Sequence, residues 1–162
     1  MKEKLKKELT KLWTGELAAV VVFWIDFLIF KKDITSTQML ISIVFPLFVL
    51  SFILIQGSVF WLILLQRLSI PQFGIKYTGK IYRILKLFDV ILLCIGLFLI
   101  IQNYSNIFVM TVSFFIWAFA VVEWVNYYKV RLSYSLDPFV LLEYIKNGKL
   151  KQSRIAKEIK NR

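Results

Sequence analysis

Apolar positions in this chain come in long, nearly unbroken runs, not at the alternating or 3.6-residue spacing of a half-buried strand or helix. The runs cover about 12–30, 39–65, 84–101 and 107–128. A helix rises about 1.5 Å per residue and a hydrocarbon core is about 30 Å thick, so each run is long enough to span it. The pattern predicts an all-α polytopic membrane protein, a four-transmembrane-helix bundle over 12–128 with a basic arm at 1–11 and a basic tail at 129–162. The second run is the longest and carries Pro46, where tilt or a kink would absorb the excess length. The third is the shortest once Lys86 is excluded, so Ile84 and Leu85 must be recruited from the loop before it.

Charge orients this pattern. Of the 21 Lys and Arg residues, 5 lie in the arm, 5 between Arg67 and Lys86, and 9 from Lys129 onward, while the other two connections hold 2 (Lys31, Lys32) and 0. The positive-inside rule then predicts both termini on the cytoplasmic side, with the first run a retained span. A Lys- and Ile-rich composition points to a bacterial cytoplasmic membrane. A net charge of +11 would suggest nucleic acid in a soluble protein. Here topology signals and anionic lipid headgroups account for the same charge, and no nucleic-acid partner is expected.

Between the second and third runs, Tyr77, Ile81, Ile84, Leu85 and Phe88 recur at helical spacing, with Lys76, Lys80 and Arg83 on a separate stripe. This predicts a basic amphipathic helix lying in the interface before turning into the third span, preceded by a turn at Pro71 and Gly74. After the fourth run, Asp137-Pro138 reads as a helix start and Asn147-Gly148 as its stop, which gives a short amphipathic tail helix over 138–146. Its apolar Phe139, Leu142 and Ile145 are candidate partner-binding residues. The last segment offers only Leu150, Ile155 and Ile159 as an apolar line and is expected to be loosely ordered or docked on lipid. Candidate headgroup contacts are Lys76, Lys80, Arg83, Lys149, Lys151, Arg154 and Lys157. Gly15 and Ala19 stand four apart, a spacing that lets a neighbouring backbone approach. Trp13, Trp124, Tyr127 and Tyr128 read as an aromatic belt, and Trp61 and Trp117 as packing.

Polar side chains at membrane depth are the candidates for function, because an ionisable residue at a span centre costs about 2.5–3.5 kcal/mol even on insertion scales. Asp26 lies inside the first run, Glu123 inside the fourth, and Gln56-Gly57-Ser58 makes a polar patch near the middle of the second. Asp89 and Glu16 fall near span ends, where headgroups could solvate them. Glu123, Tyr127 and Arg131 share a helical face with Asn126 beside them. Each carboxylate has a structural reading, as an acceptor from a neighbouring helix, and a functional one, as part of an ion or substrate path.

Catalysis is not expected. The chain has no histidine and one cysteine, Cys94, which excludes intrachain disulfides and imidazole metal sites and leaves no cofactor or metal to expect. No phosphate-binding glycine loop is present. Two classes remain. One is a small membrane protein acting by protein–protein or protein–lipid interaction, as an accessory, regulatory or immunity-type component, partnered by another membrane protein or by itself. The alternative is an oligomeric channel or small transporter with Asp26, Gln56 and Glu123 lining the path.

Overall fold

The computed structural model describes residues 2–34, 36–104, 106–130 and 151–160. Four helices are long and apolar enough to cross a membrane: α1 (Lys2–Phe30), α2 (Thr37–Arg67), α3 (Ile75–Gln102) and α4 (Ile107–Tyr128). A short fifth helix, α5 (Arg154–Lys160), follows. No strand occurs among the described residues; Val130 and Gln152 form one isolated antiparallel bridge. Connections of a few residues between α1, α2, α3 and α4 force these helices to run antiparallel in succession. One is a 3₁₀ turn at Lys31–Asp33. Ser36 caps α2, its Oγ accepting from the Met39 amide at 3.2 Å, and Asn106 caps α4 through Val109 at 2.8 Å. Gly74 opens α3 at φ 63°, left-handed backbone that glycine adopts at no steric cost. The turn expected at Pro71 and Gly74 is therefore where the sequence put it.

α2 is the hub. Its buried residues run from Ser42 to Phe60, and α1, α3 and α4 all pack on it, whereas α1 buries only Leu9. The core is Val49, Leu50, Ile53, Leu54 and Phe60 of α2 with Tyr82, Leu93, Ala120, Tyr127, Tyr128 and Ile155. Val22, Ile25 and Ile29 of α1 and Ile84, Leu87 and Ile91 of α3 face outward, as lipid-contacting side chains should.

Several sequence expectations change here. The arm and the first span form one helix from Lys2, since nothing between them breaks it. The basic interfacial helix is likewise continuous with the third span and does not turn near Ile84. Its inner face is Thr78, Gly79, Tyr82 and Asp89, while Tyr77, Ile81, Ile84 and Phe88 are exposed. In lipid the apolar stripe has no need to hide, so small and polar residues take the inside. A Cβ at Gly15 would meet nothing within 4 Å, so no backbone approaches there. Tyr127 and Tyr128, at 4% and 2% exposure, point into the bundle and not into an interfacial belt.

The end of the chain also differs. Ser153 starts α5, its Oγ accepting from the Ala156 amide at 3.0 Å and donating to the Tyr127 carbonyl. Ile155 and Ala156 are buried, and Ile159 packs against the core. The apolar line expected from Ile155 and Ile159 is used, but on the protein. Arg131, Lys149, Leu150 and the helix expected at 138–146, with Phe139, Leu142 and Ile145, lie outside the described residues.

Candidate binding cleft

Indole and phenol groups tie the helices together. Trp24 Nε1 donates to Ser51 Oγ at 3.0 Å, Trp117 Nε1 to the Leu93 carbonyl at 2.8 Å, and Trp124 Nε1 to the Lys86 carbonyl at 3.3 Å. Ser58 Oγ donates to the Trp13 carbonyl at 2.9 Å. Polar groups inside a bilayer must be satisfied by protein, and each such bond is worth about 0.6–2 kcal/mol.

The densest polar contacts centre on Gln56. Its Nε2 donates to Asp89 Oδ1 at 2.8 Å, its Oε1 accepts from the Tyr128 hydroxyl at 2.5 Å, and its carbonyl accepts from the Tyr82 hydroxyl at 2.6 Å. Three helices therefore meet at one side chain. Asp89 is 0% exposed, so headgroups do not solvate it as its place near a span end had implied. Its carboxylate reads as interhelical glue.

On the other face of α2, Trp61 Nε1 donates to Glu16 Oε1 at 2.7 Å. Gly57 lies beside them. A Cβ there would fall on the Tyr127 ring and 2.6 Å from Glu16 Oε2, so only glycine lets α1, α2 and α4 converge at this level. Glu16, unlike Asp89, is not among the candidate functional residues of the sequence, because it counts into the headgroup region there. The available signal was a carboxylate inside an apolar run with no basic residue within one turn.

α1 and α4 both lie on α2 and leave a cleft between them. Phe23 and Phe119 meet across it edge-to-face at 6.0 Å, with one cavity on each side. The cavity on the side of the chain's termini is about 310 Å³ and is bordered by Glu16, Glu123, Asn126, Tyr127, Trp61 and Arg154. Asn126 Nδ2 donates to Glu123 Oε2 at 3.2 Å, so the residue expected beside the Glu123 face is bonded to it. The other cavity, about 350 Å³, holds Asp26, which is exposed, among Phe27, Phe30, Met39 and Phe108.

The expected trio separates. Asp26 and Glu123 border different cavities, and Gln56 borders a third, between α2 and α3. Within one chain they do not line a common path. The headgroup candidates Lys76, Lys80, Arg83, Lys151, Arg154 and Lys157 are exposed, and Arg83 donates to the Ile159 carbonyl at 3.0 Å. Cys94 faces outward. Among the described residues no group of His, Cys, Asp and Glu could hold a metal ion. Compared with known protein families, curated proteins and solved structures, the chain matches none.

Proposed function

We propose that this chain is a non-catalytic membrane protein that acts by binding another membrane protein, and that the cleft between α1 and α4 is its binding face. The occupant we infer is a transmembrane segment carrying a lysine or arginine. One observation carries the reading. Glu16 and Glu123 border a single cavity in the cleft, while the one ion pair among the described residues, Arg67–Glu158, lies elsewhere. Carboxylates at membrane depth favour a cationic partner, and a basic side chain within a partner's span has the same need in reverse. Glu123 stands five residues before the end of α4, about 8 Å along the helix, a depth that a long basic side chain can reach from the interface. Aromatic walls from Trp61, Phe23 and Phe119 suit the apolar stem of such a side chain.

The test uses the open space at Gly15, which borders the same cavity. A diazirine side chain placed there should crosslink in native membranes to one partner protein, through a segment that contains a basic residue. The double change Glu16→Gln and Glu123→Gln should lower that yield about tenfold while the bundle stays folded, because the amides keep the shape and lose the charge. Crosslinks confined to lipid or to a second copy of the chain would overturn the reading. The path reading has less support, since its three residues border three separate cavities and a path would have to form between protomers.

We further propose a multi-pass protein of a bacterial cytoplasmic membrane with both termini inside, its exposed basic residues facing anionic headgroups. The support is the charge asymmetry of the connections. Reporter fusions after Lys32 and after Asn103 should read outside, and fusions after Lys80 and after Arg162 inside. A cytoplasmic signal from the Lys32 fusion would overturn this orientation.

A further inference from the structure

The helix α5 borders the carboxylate cavity. Ser153, Arg154 and Ile155, from its first turn, are part of the cavity wall. The Arg154 guanidinium lies 5.8 Å from the centre of the Trp61 ring, above the indole that binds Glu16. The far turn of α5 is held by a different set of contacts. Arg67 donates from two nitrogens to Glu158, at 3.1 and 3.2 Å, and Arg83 donates to the Ile159 carbonyl. Arg67 is itself fixed by the Phe73 carbonyl at 2.9 Å and Thr78 Oγ1 at 3.1 Å, so the clamp is built on the connection between α2 and α3.

Among the described residues, few contacts hold α5. A helix of 7 residues cannot stand alone in water, so it exists only while docked. Its buried apolar contacts are Ile155 and Ala156, with Ile159 partly so. Its ion pair is bidentate and mostly buried, with side-chain exposures of 14% and 20%, so the far turn is held chiefly by this one clamp. The attachment point, by contrast, is firm. Gln152 bridges to Val130, the Ser153 amide donates to the Lys129 carbonyl at 3.2 Å, and Ser153 Oγ bonds the Tyr127 carbonyl. A weakly held element on a fixed pivot belongs to the low-stability end of a fold and opens locally while the rest stays intact.

We propose that α5 is a hinged cap that closes the Glu16–Glu123 cavity toward the aqueous phase on the side of the chain's termini, and that undocking α5 admits water-borne solutes to that cavity. The cap does not depend on what enters the cleft from the membrane, so it stands or falls separately from the partner proposed above.

The reporter is an Ala19→Cys chain with Cys94→Ala, reconstituted in vesicles and exposed on the termini side to a charged, membrane-impermeant maleimide. Ala19 is suited to this because it borders the cavity and is half-buried against the core. Labelling should be slow in this parent and about tenfold faster after Ile155→Lys, which cannot stay buried, and faster also after Glu158→Ala, which removes the clamp. A control places the cysteine at outward-facing Val22, which does not border the cavity. Labelling there should stay slow in both variants. An unchanged rate at Ala19→Cys in the Ile155→Lys chain overturns the cap. So does a rate at Val22→Cys that rises in step, because the label would then report a loosened bundle.

Discussion

Gln56→Leu should be the most damaging single substitution in the bundle, lowering stability by about 3–5 kcal/mol in detergent or bilayer unfolding. The leucine fills a similar volume, so the loss is electrostatic. Asp89 is 0% exposed and accepts a hydrogen bond from Gln56 Nε2, and the Tyr128 hydroxyl loses Gln56 Oε1 as an acceptor in the same step. Removing one partner of a buried charged group leaves the other desolvated and uncompensated, which costs far more than the bond itself was worth. Tyr82 should be unaffected, because its hydroxyl bonds the Gln56 carbonyl, which the substitution keeps. A double-mutant cycle separates this account from simple misfit. In Gln56→Leu with Asp89→Leu no buried carboxyl remains between α2 and α3, and most of the stability should return. If the double variant is as unstable as the sum of the two single ones, the polar contact is not what holds this level together.

The same residues show what was legible in the sequence. Four spans and their ends follow from the length of the apolar runs, and the helices occupy them with only their termini extended. Inward and outward faces were harder to read, because helices apolar on every side carry little amphipathic signal. On α3 the apolar stripe from Tyr77 to Phe88, expected on an interfacial helix, is largely exposed on the continuous span. The reason lies in the solvent. In water an apolar stripe seeks the core, whereas in lipid the buried face is the one with Thr78, Gly79, Tyr82 and Asp89. The polar patch at Gln56-Gly57-Ser58 was visible as unusual, and it is where the helices are joined. Its partners were not visible. Glu16 and Asp89 look solvated when spans are measured by hydropathy, yet α1 continues to Lys2 and α3 begins at Ile75, so both carboxylates lie within a packed bundle. Tyr127 and Tyr128 were assigned to an interface for the same reason. Only three-dimensional packing brings Glu16 and Glu123, on the first and fourth helices, to one cavity.

Gly57→Ala is the second large effect expected, and its sign runs against local propensity. Alanine favours a helix over glycine by about 1 kcal/mol, so an isolated α2 would gain from the change. In the bundle the added methyl falls on the Tyr127 ring and 2.6 Å from Glu16 Oε2, closer than real atoms pack. The ring cannot swing aside freely, because Tyr127 is 4% exposed and its carbonyl is bonded to Ser153. Overpacking of this kind costs about 1–3 kcal/mol, from which the propensity gain of about 1 kcal/mol is subtracted. We expect a net destabilisation of about 1 kcal/mol and a displaced Tyr127. The displacement has a consequence beyond stability, since Tyr127 and Glu16 both border the carboxylate cavity and the Tyr127 carbonyl holds Ser153 at the pivot of α5. Pairing Gly57→Ala with Tyr127→Leu, which shortens the obstructing side chain, should recover much of the stability, whereas Gly57→Ala with Glu16→Gln should not, because the amide is as large as the carboxylate. Equal stability of Gly57→Ala and the parent chain in thermal unfolding would mean that the three helices do not converge on this glycine.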